Sequence, residues 1–289
     1  MIRSMTGYAE ADTATPWGTL SWELRSVNHR FLETGLRLPE ELRQLDGPVR
    51  ERIAARIARG KVEASLRLRR ERGDGGLLQI NETLVSALGQ AMRRLGEHLP
   101  ANLQRVSLTD VLAWPGLLVE PEVDSAALQA AALAGLEQAL DGLVAARARE
   151  GERLAALLVE RLDGIERETA TVRRLLPDIR SALRARMEAR LADLRLPLDP
   201  GRLEQEVVIH LQKLDVDEEL DRLAGHVQEA RRTLTLGEAV GRRLDFLMQE
   251  FNREANTLGS KSVDSRSTQA AVELKVLIEQ MREQVQNIE

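Results

Sequence analysis

The sequence contains no cysteine. Disulfides and thiolate metal sites are thereby excluded, which leaves His, Asp and Glu as side-chain metal ligands. The absence is also compatible with a reducing cytosol. Aromatic residues are scarce at 2%, so a core has to be built from Leu, Val, Ile and Ala. No stretch approaches the roughly 20 consecutive apolar residues that span a bilayer. No N-terminal run has the charged-then-apolar layout of a signal peptide. These absences together lead to the expectation of a soluble, cytoplasmic protein with no membrane partner.

What is present suits a mostly helical chain. Of 289 residues, 43% are apolar, enough for a packed core, and the dominant apolar types, Ala and Leu, are strong helix formers. The net charge of −5 does not suggest a general polyanion binder, but it is unevenly spread. From Met1 to Arg72 there are 14 Lys/Arg against 10 Asp/Glu, a balance of +4, and the remainder carries −9. A basic N-terminal region could hold phosphates while an acidic C-terminal region holds a metal.

Residues 1–12 and 17–28 read as a hairpin, joined by the turn chemistry of Ala14-Thr15-Pro16-Trp17-Gly18. Phe31–Leu38 and Lys61–Arg70 alternate apolar and polar as half-buried strands do. Between them Pro39-Glu40-Glu41 opens a helix with acids in its first turn. Gly47-Pro48 predicts a break within it, followed by resumption at Val49 and a stop near Gly60. Gly73-Asp74-Gly75-Gly76 reads as a loop, Asn81 as the cap of a helix to about His98, and Ser107 as the start of a short helix ended by Trp114-Pro115-Gly116. Ser125 to Leu194 is nearly unbroken helical pattern, which Pro177 is expected to kink or divide. Further helices are expected over about 201–235, 238–258 and 264–289. The fold class is thus α+β: a small antiparallel or mixed sheet with helices at the N-terminus, then a long all-helical region. The expected divisions are an N-terminal α/β region over 1–124, a long helical arm over 125–200 and a C-terminal helical region over 201–289.

Two stretches could carry chemistry. Asp215, Glu219, Arg222, His226 and Glu229 follow one another at helical spacings and fall within roughly 80° of arc. A carboxylate and an imidazole on one face could join a metal site if a second helix supplies further ligands. The competing reading is an ordinary solvated amphipathic face, although His is rare, at four in the chain. The next helix has an apolar stripe containing Leu244, Leu247, Met248, Phe251, Ala255 and Leu258. Beside it run a polar stripe of Asp245, Gln249, Asn252 and Asn256, and a further face with Glu250 and Glu254. Asn is a mediocre helix former, so two in mid-helix call for either a function or interhelical hydrogen bonds. Gly259-Ser260-Lys261-Ser262 lacks the spaced glycine of a P-loop, but Lys261 could still meet a phosphate.

At these residues the chain resembles the YicC/YloC family over nearly its whole length. The resemblance is carried by Met1-Ile2-Arg3-Ser4-Met5-Thr6-Gly7-Tyr8, by Glu23 to Glu33 (including Arg25, Asn28, His29 and Arg30), by Arg37-Leu38-Pro39 and by Arg59-Gly60-Lys61-Val62. It continues through Arg147, Arg149-Glu150-Gly151 and Leu154. It is densest over Glu218 to Leu223 with His226, over Val240 to Thr257, and from Val272 to Glu289. Ala9 departs from the glycine frequent in the family. The resemblance implies a divalent-cation-dependent endoribonuclease using Mn²⁺ or Mg²⁺. It also implies a homo-oligomer, a hexamer, with a central cavity that admits RNA.

On that basis His226 with Glu219 or Asp215, and Glu250 or Glu254 from the following helix, are expected to bind the cation, a mixture of nitrogen and oxygen donors that suits Mn²⁺. His226 is alternatively a general base. Arg222 and Lys261 could offset charge on the phosphate. Arg25, Asn28, Arg30, Arg37, Arg59 and Lys61 are the candidates for an RNA-holding surface that contacts the backbone. For the arginines and Lys61, pairing with nearby acids such as Glu23 and Glu33 is the structural alternative. Sparse aromatics argue against base stacking as the main mode, and structured RNA held by shape is expected instead. A non-catalytic RNA-binding module and a helical assembly scaffold are the rival functions.

Overall fold

The computed structural model describes residues 2–70, 79–99, 107–119, 124–193, 204–205, 208–209, 215–236 and 239–289. Strands β1 (Gly7–Thr15) and β2 (Gly18–Val27) form the expected hairpin. Gly18 makes its turn possible: its φ is +128°, and a Cβ there would lie 2.2 Å from the Arg69 carbonyl oxygen. β3 (Leu32–Arg37) and β4 (Gly60–Arg69) complete a sheet of order β1-β2-β4-β3, in which β3 runs parallel to β4 and the other pairs are antiparallel. The connection from β3 to β4 is a 3-10 helix (Glu40–Leu45) followed by α1 (Asp46–Arg56). The break therefore falls just before Gly47-Pro48. Pro48 sits in the first turn of α1, where its missing N–H costs nothing. α1 stops at Ile57, three residues before Gly60, because Ile57 turns into the core at 2% exposure.

Leu20, Trp22 and Leu24 of β2 and Val62, Ala64 and Leu66 of β4 alternate inward, as the period-2 pattern requires. They pack on Leu42, Val49 and Ile53 and on the first half of α4 (Ser125–Asp193). Trp22 Nε1 donates to the Ala132 carbonyl at 2.7 Å, so the buried indole is satisfied. A small unit follows the sheet in sequence: β5 (Gln79–Ile80) pairs with β6 (Leu118–Val119) around α2 (Glu82–His98) and α3 (Leu108–Leu112). Asn81 and Ser107 cap those helices as expected. The Gly73–Gly76 loop lies outside the described residues.

α4 is the spine of the molecule. It runs through Pro177 without being divided, and at 69 residues and 1.5 Å rise it spans about 100 Å. Its second half buries Leu154, Leu158, Leu162, Ile165 and Val172 against α5 (Asp217–Leu234), α6 (Gly241–Lys261) and α7 (Ser265–Val285). α4 packs on α5 and α7, and α6 packs on the same two, so the four close a bundle with one apolar core. The expected start of α5 near residue 201 lies largely outside the described residues. No helix among the described residues is long and apolar enough to cross a membrane.

The two ends of the chain meet at a point the sequence did not announce. Residues before Gly7 do not extend the hairpin. Ser4 N donates to the Arg147 carbonyl (2.9 Å), Met5 N to Asn287 O (2.7 Å) and Glu289 N to Arg3 O (3.0 Å). Likewise α7 ends at Val285 rather than 289, and the residues after it pair with this N-terminal segment. Arg147, 2% exposed, ties the junction together. It donates to Ser4 O (2.6 Å), Arg59 O (3.3 Å) and Glu289 Oε2 (3.0 Å). Burial pushes its guanidinium pKa down, and Glu289 opposes the shift.

A candidate metal and phosphodiester site between two helices

The candidate site lies on the contact between α5 and α6. α5 carries Asp217, Glu218 and Glu219 in its first turn and Arg231 and Arg232 in its last, the order its dipole favours. Leu220, Leu223, Val227 and Ala230 press on Leu244, Leu247, Phe251 and Leu258 of α6. A polar seam borders that contact. Glu229 accepts from Arg243, Arg222 Nη1 donates to Glu254 Oε1 (3.4 Å) and Lys261 Nζ donates to Glu219 Oε1 (2.8 Å). Partners run down α5 as they run up α6, so the helices are antiparallel and the seam is continuous.

In the middle of this seam His226, Glu250 and Glu254 converge, with one potential ligand atom from each within 4.8 Å of the others. Glu254 is 3% exposed. The Nε2 atom of His226 is buried and has no hydrogen-bond partner, a costly state for a ring nitrogen. The imidazole meets Phe251 edge-on at 5.6 Å, and this contact orients the ring. An imidazole with an orphaned nitrogen and two carboxylates in reach fits a divalent cation, and the nitrogen-and-oxygen donor set suits Mn²⁺.

The other expected ligands are not gathered with them. α5 begins at Asp217, so Asp215 precedes the helix instead of sharing its face. Its carboxylate lies 3.0 Å from Arg180, and its carbonyl accepts from Lys261 at 2.8 Å. Asp217 and Asp215 in turn push the Arg180 guanidinium pKa up. Glu219 is 5% exposed and held by Lys261, but its Oε2 is buried without a partner. Arg222 is half exposed and shared between Glu218 and Glu254. Glu229, the last acid of the stripe, is held by Arg232 and Arg243, which keep its carboxyl below the usual range.

The N-terminal candidates divide into two groups. Arg25, Arg37 and Lys61 lie on the outward face of the sheet among Glu23, Glu33 and Glu63. There Lys61 pairs with Glu33 (3.8 Å), while Glu23 pairs with Arg67 (3.7 Å). The guanidinium of Arg30 lies over the Phe31 ring at 5.2 Å. Asn28 and Arg59 go elsewhere: with Arg242 and Asp245 of α6 they line a cleft of about 260 Å³, and Arg59 Nε donates to His29 O (3.2 Å). Arg242 stands within the family-like run of α6, but its role was not legible there. Only the fold brings it opposite Arg59.

The chain is similar to known proteins along its whole length. Residues 2–156 match the model of the endoribonuclease YicC-like N-terminal region, and residues 172–289 match that of the endoribonuclease YicC-like C-terminal region. A Haemophilus influenzae protein named "Probable endoribonuclease YicC" is 44% identical over 289 residues, covering 100% of both chains. A Clostridioides difficile protein of the same name is 30% identical over 298 residues, again covering 100% of both. The seam, its His226 cluster and the cleft against the sheet are therefore features of a chain that belongs to the YicC-like endoribonuclease family.

Proposed function

We propose that this protein is a cytoplasmic endoribonuclease that cuts structured RNA using a divalent cation, Mn²⁺ or Mg²⁺, held by His226, Glu250 and Glu254. The convergence of these three side chains, together with a buried, unpartnered Nε2 on His226, carries the reading. Full-length similarity to proteins named for endoribonuclease activity supports the substrate. When bound, the cation supplies Lewis-acid stabilisation of charge on the phosphoryl group. Arg222, half exposed beside Glu254, would meet negative charge developing on the phosphate. Lys261 keeps Glu219 charge-balanced at the far end of the seam. Asn28, Arg59 and Arg242 offer donors to the RNA backbone across the cleft. Assembly as a hexamer around the RNA, as the resemblance implies, is part of this proposal and is tested by sedimentation.

One observation favours a purely structural seam: Glu254 and Glu219 already have cationic partners. A labelled RNA hairpin incubated with pure protein, in Mn²⁺ and then in EDTA, separates the two readings. Cutting is expected only with the metal, and His226→Ala, purified in parallel, is expected to lose about 10²–10⁴-fold in rate. Calorimetric titration with Mn²⁺ should show binding that His226→Ala abolishes. Undiminished cutting by that variant would remove His226 from the site.

A further inference from the structure

The chain has three phenylalanines, and each has a different environment. Phe251 is buried under His226. Phe31 is exposed, but the Arg30 guanidinium covers its ring. Phe246 is 60% exposed on α6, with no ring contact among the described residues. Of the three rings it alone is both exposed and uncovered, so its face is open to a ligand.

Its neighbours point to one. Arg242, Phe246, Glu250 and Glu254 form a single i, i+4 row on α6. Phe246 therefore stands one turn from the His226 cluster on one side and one turn from Arg242 on the other. Arg242 and Arg243 occupy the first turn of α6, where the helix dipole is already positive and cations are disfavoured. Arg243 is compensated by Glu229, while Arg242 has no hydrogen bond or ion pair among the described residues. Its charge is open to an anion, and it faces Arg59 and Asn28 across the cleft. On the ring's other flank Gln249 and Asn252 line an open groove with Arg253.

We propose that Phe246 is the stacking platform of a nucleobase subsite. An unpaired base of the RNA lies on its ring, Arg242 contacts an adjoining phosphate, and the His226–Glu250–Glu254 cluster faces the neighbouring phosphodiester. The proposal rests on the endoribonuclease reading above and deepens it: recognition includes one unpaired base beside the cut. A chain poor in aromatics needs only one ring for one base, so the scarcity that argued against stacking as the main mode does not exclude it here.

The test uses full-length protein in EDTA, so that no RNA is cut. Fluorescence anisotropy compares a labelled short oligoadenylate with an abasic ribose–phosphate oligomer of equal length and charge. Stacking on one ring predicts that wild type prefers the oligoadenylate by about 5- to 150-fold. Phe246→Ala should bring oligoadenylate affinity down to that of the abasic oligomer and leave abasic binding unchanged. Phe246→Trp should restore the preference, with quenching of the new indole on binding. Arg242→Ala should weaken both oligomers alike. The subsite is overturned if Phe246→Ala keeps the preference or loses both oligomers equally. It is also overturned if Phe246→Ala or Phe246→Leu changes the sedimenting mass, which assigns the ring to a contact between copies. A wild type that cuts the RNA hairpin with Mn²⁺ but shows no base preference removes the subsite alone. A wild type that neither binds nor cuts removes the endoribonuclease reading with it.

Discussion

Replacing His226 by leucine separates a site built for a ligand from one built for stability. In the metal-free protein, Nε2 of His226 is buried without a partner, and an unsatisfied buried polar atom costs about 1–3 kcal/mol. Leucine removes that cost and fills much the same space. It also forfeits the edge-on contact with Phe251 at 5.6 Å, worth about 0.5–1.5 kcal/mol. The net change therefore lies between about 0.5 kcal/mol of loss and about 2.5 kcal/mol of gain. A buried histidine with a structural partner would instead cost several kcal/mol to remove. Adding Mn²⁺ should leave wild type the more stable of the two, because a cation that binds only the folded protein stabilises it by about 2.7 kcal/mol at a hundredfold excess over Kd. Wild type should gain this and His226→Leu should not. Urea unfolding followed by circular dichroism, in EDTA and in Mn²⁺, measures both quantities. Marked destabilisation of the metal-free variant, or equal stabilisation of both proteins by Mn²⁺, would refute the reasoning.

Four further outcomes follow from other parts of the structure. Arg147→Ala leaves Glu289, Ser4 O and Arg59 O without their shared donor, and loss of one partner of a buried pair is expected to cost about 3 kcal/mol in urea unfolding. Gly151→Ala would place a Cβ 2.1 Å from the Ile2 carbonyl oxygen and should cost about 1–3 kcal/mol. By contrast Gly225→Ala, in α5 with nothing within 4 Å, should stabilise by about 0.5–1 kcal/mol. Asp264 caps α7 by accepting from Arg266 N at 2.8 Å. The Arg266 side chain, then its backbone N–H, hold the Asp264 carboxyl below its usual range. A folded value below the unfolded one means that the stabilisation is present above the unfolded value and is lost as pH falls through the folded one. Asp264→Ala should therefore melt below wild type at neutral pH, and the gap should narrow only in strong acid. A gap independent of pH would contradict this.

Much of the architecture follows from local pattern. Alternation along Gly18–Val27 and Gly60–Arg69 places Leu20, Trp22, Val62 and Ala64 on one face of a sheet whatever covers it. Residues Asn81 and Ser107 mark helix starts by the hydrogen bonds their side chains make. Pro177 does not divide α4, because packing along both of its halves outweighs one missing hydrogen bond. The stripe on α5 was legible as a set of spacings, but it included Asp215, because spacing does not reveal where a helix begins.

From the sequence alone come an α+β chain without thiols, a C-terminal region rich in helical faces, and a short roster of acids with one histidine among them. Which members of that roster meet was decided by the tertiary structure. The antiparallel pairing of α5 and α6 brings His226 to Glu250 and Glu254, sends Glu219 to Lys261 and leaves Asp215 to Arg180. The meeting of the N- and C-terminal segments sets Arg242 opposite Arg59 across a cleft between elements far apart in sequence. The physical reason is range: periodicity is written within a few turns of one element, whereas a metal-binding triad and a phosphate-facing cleft depend on the register in which separate elements pack.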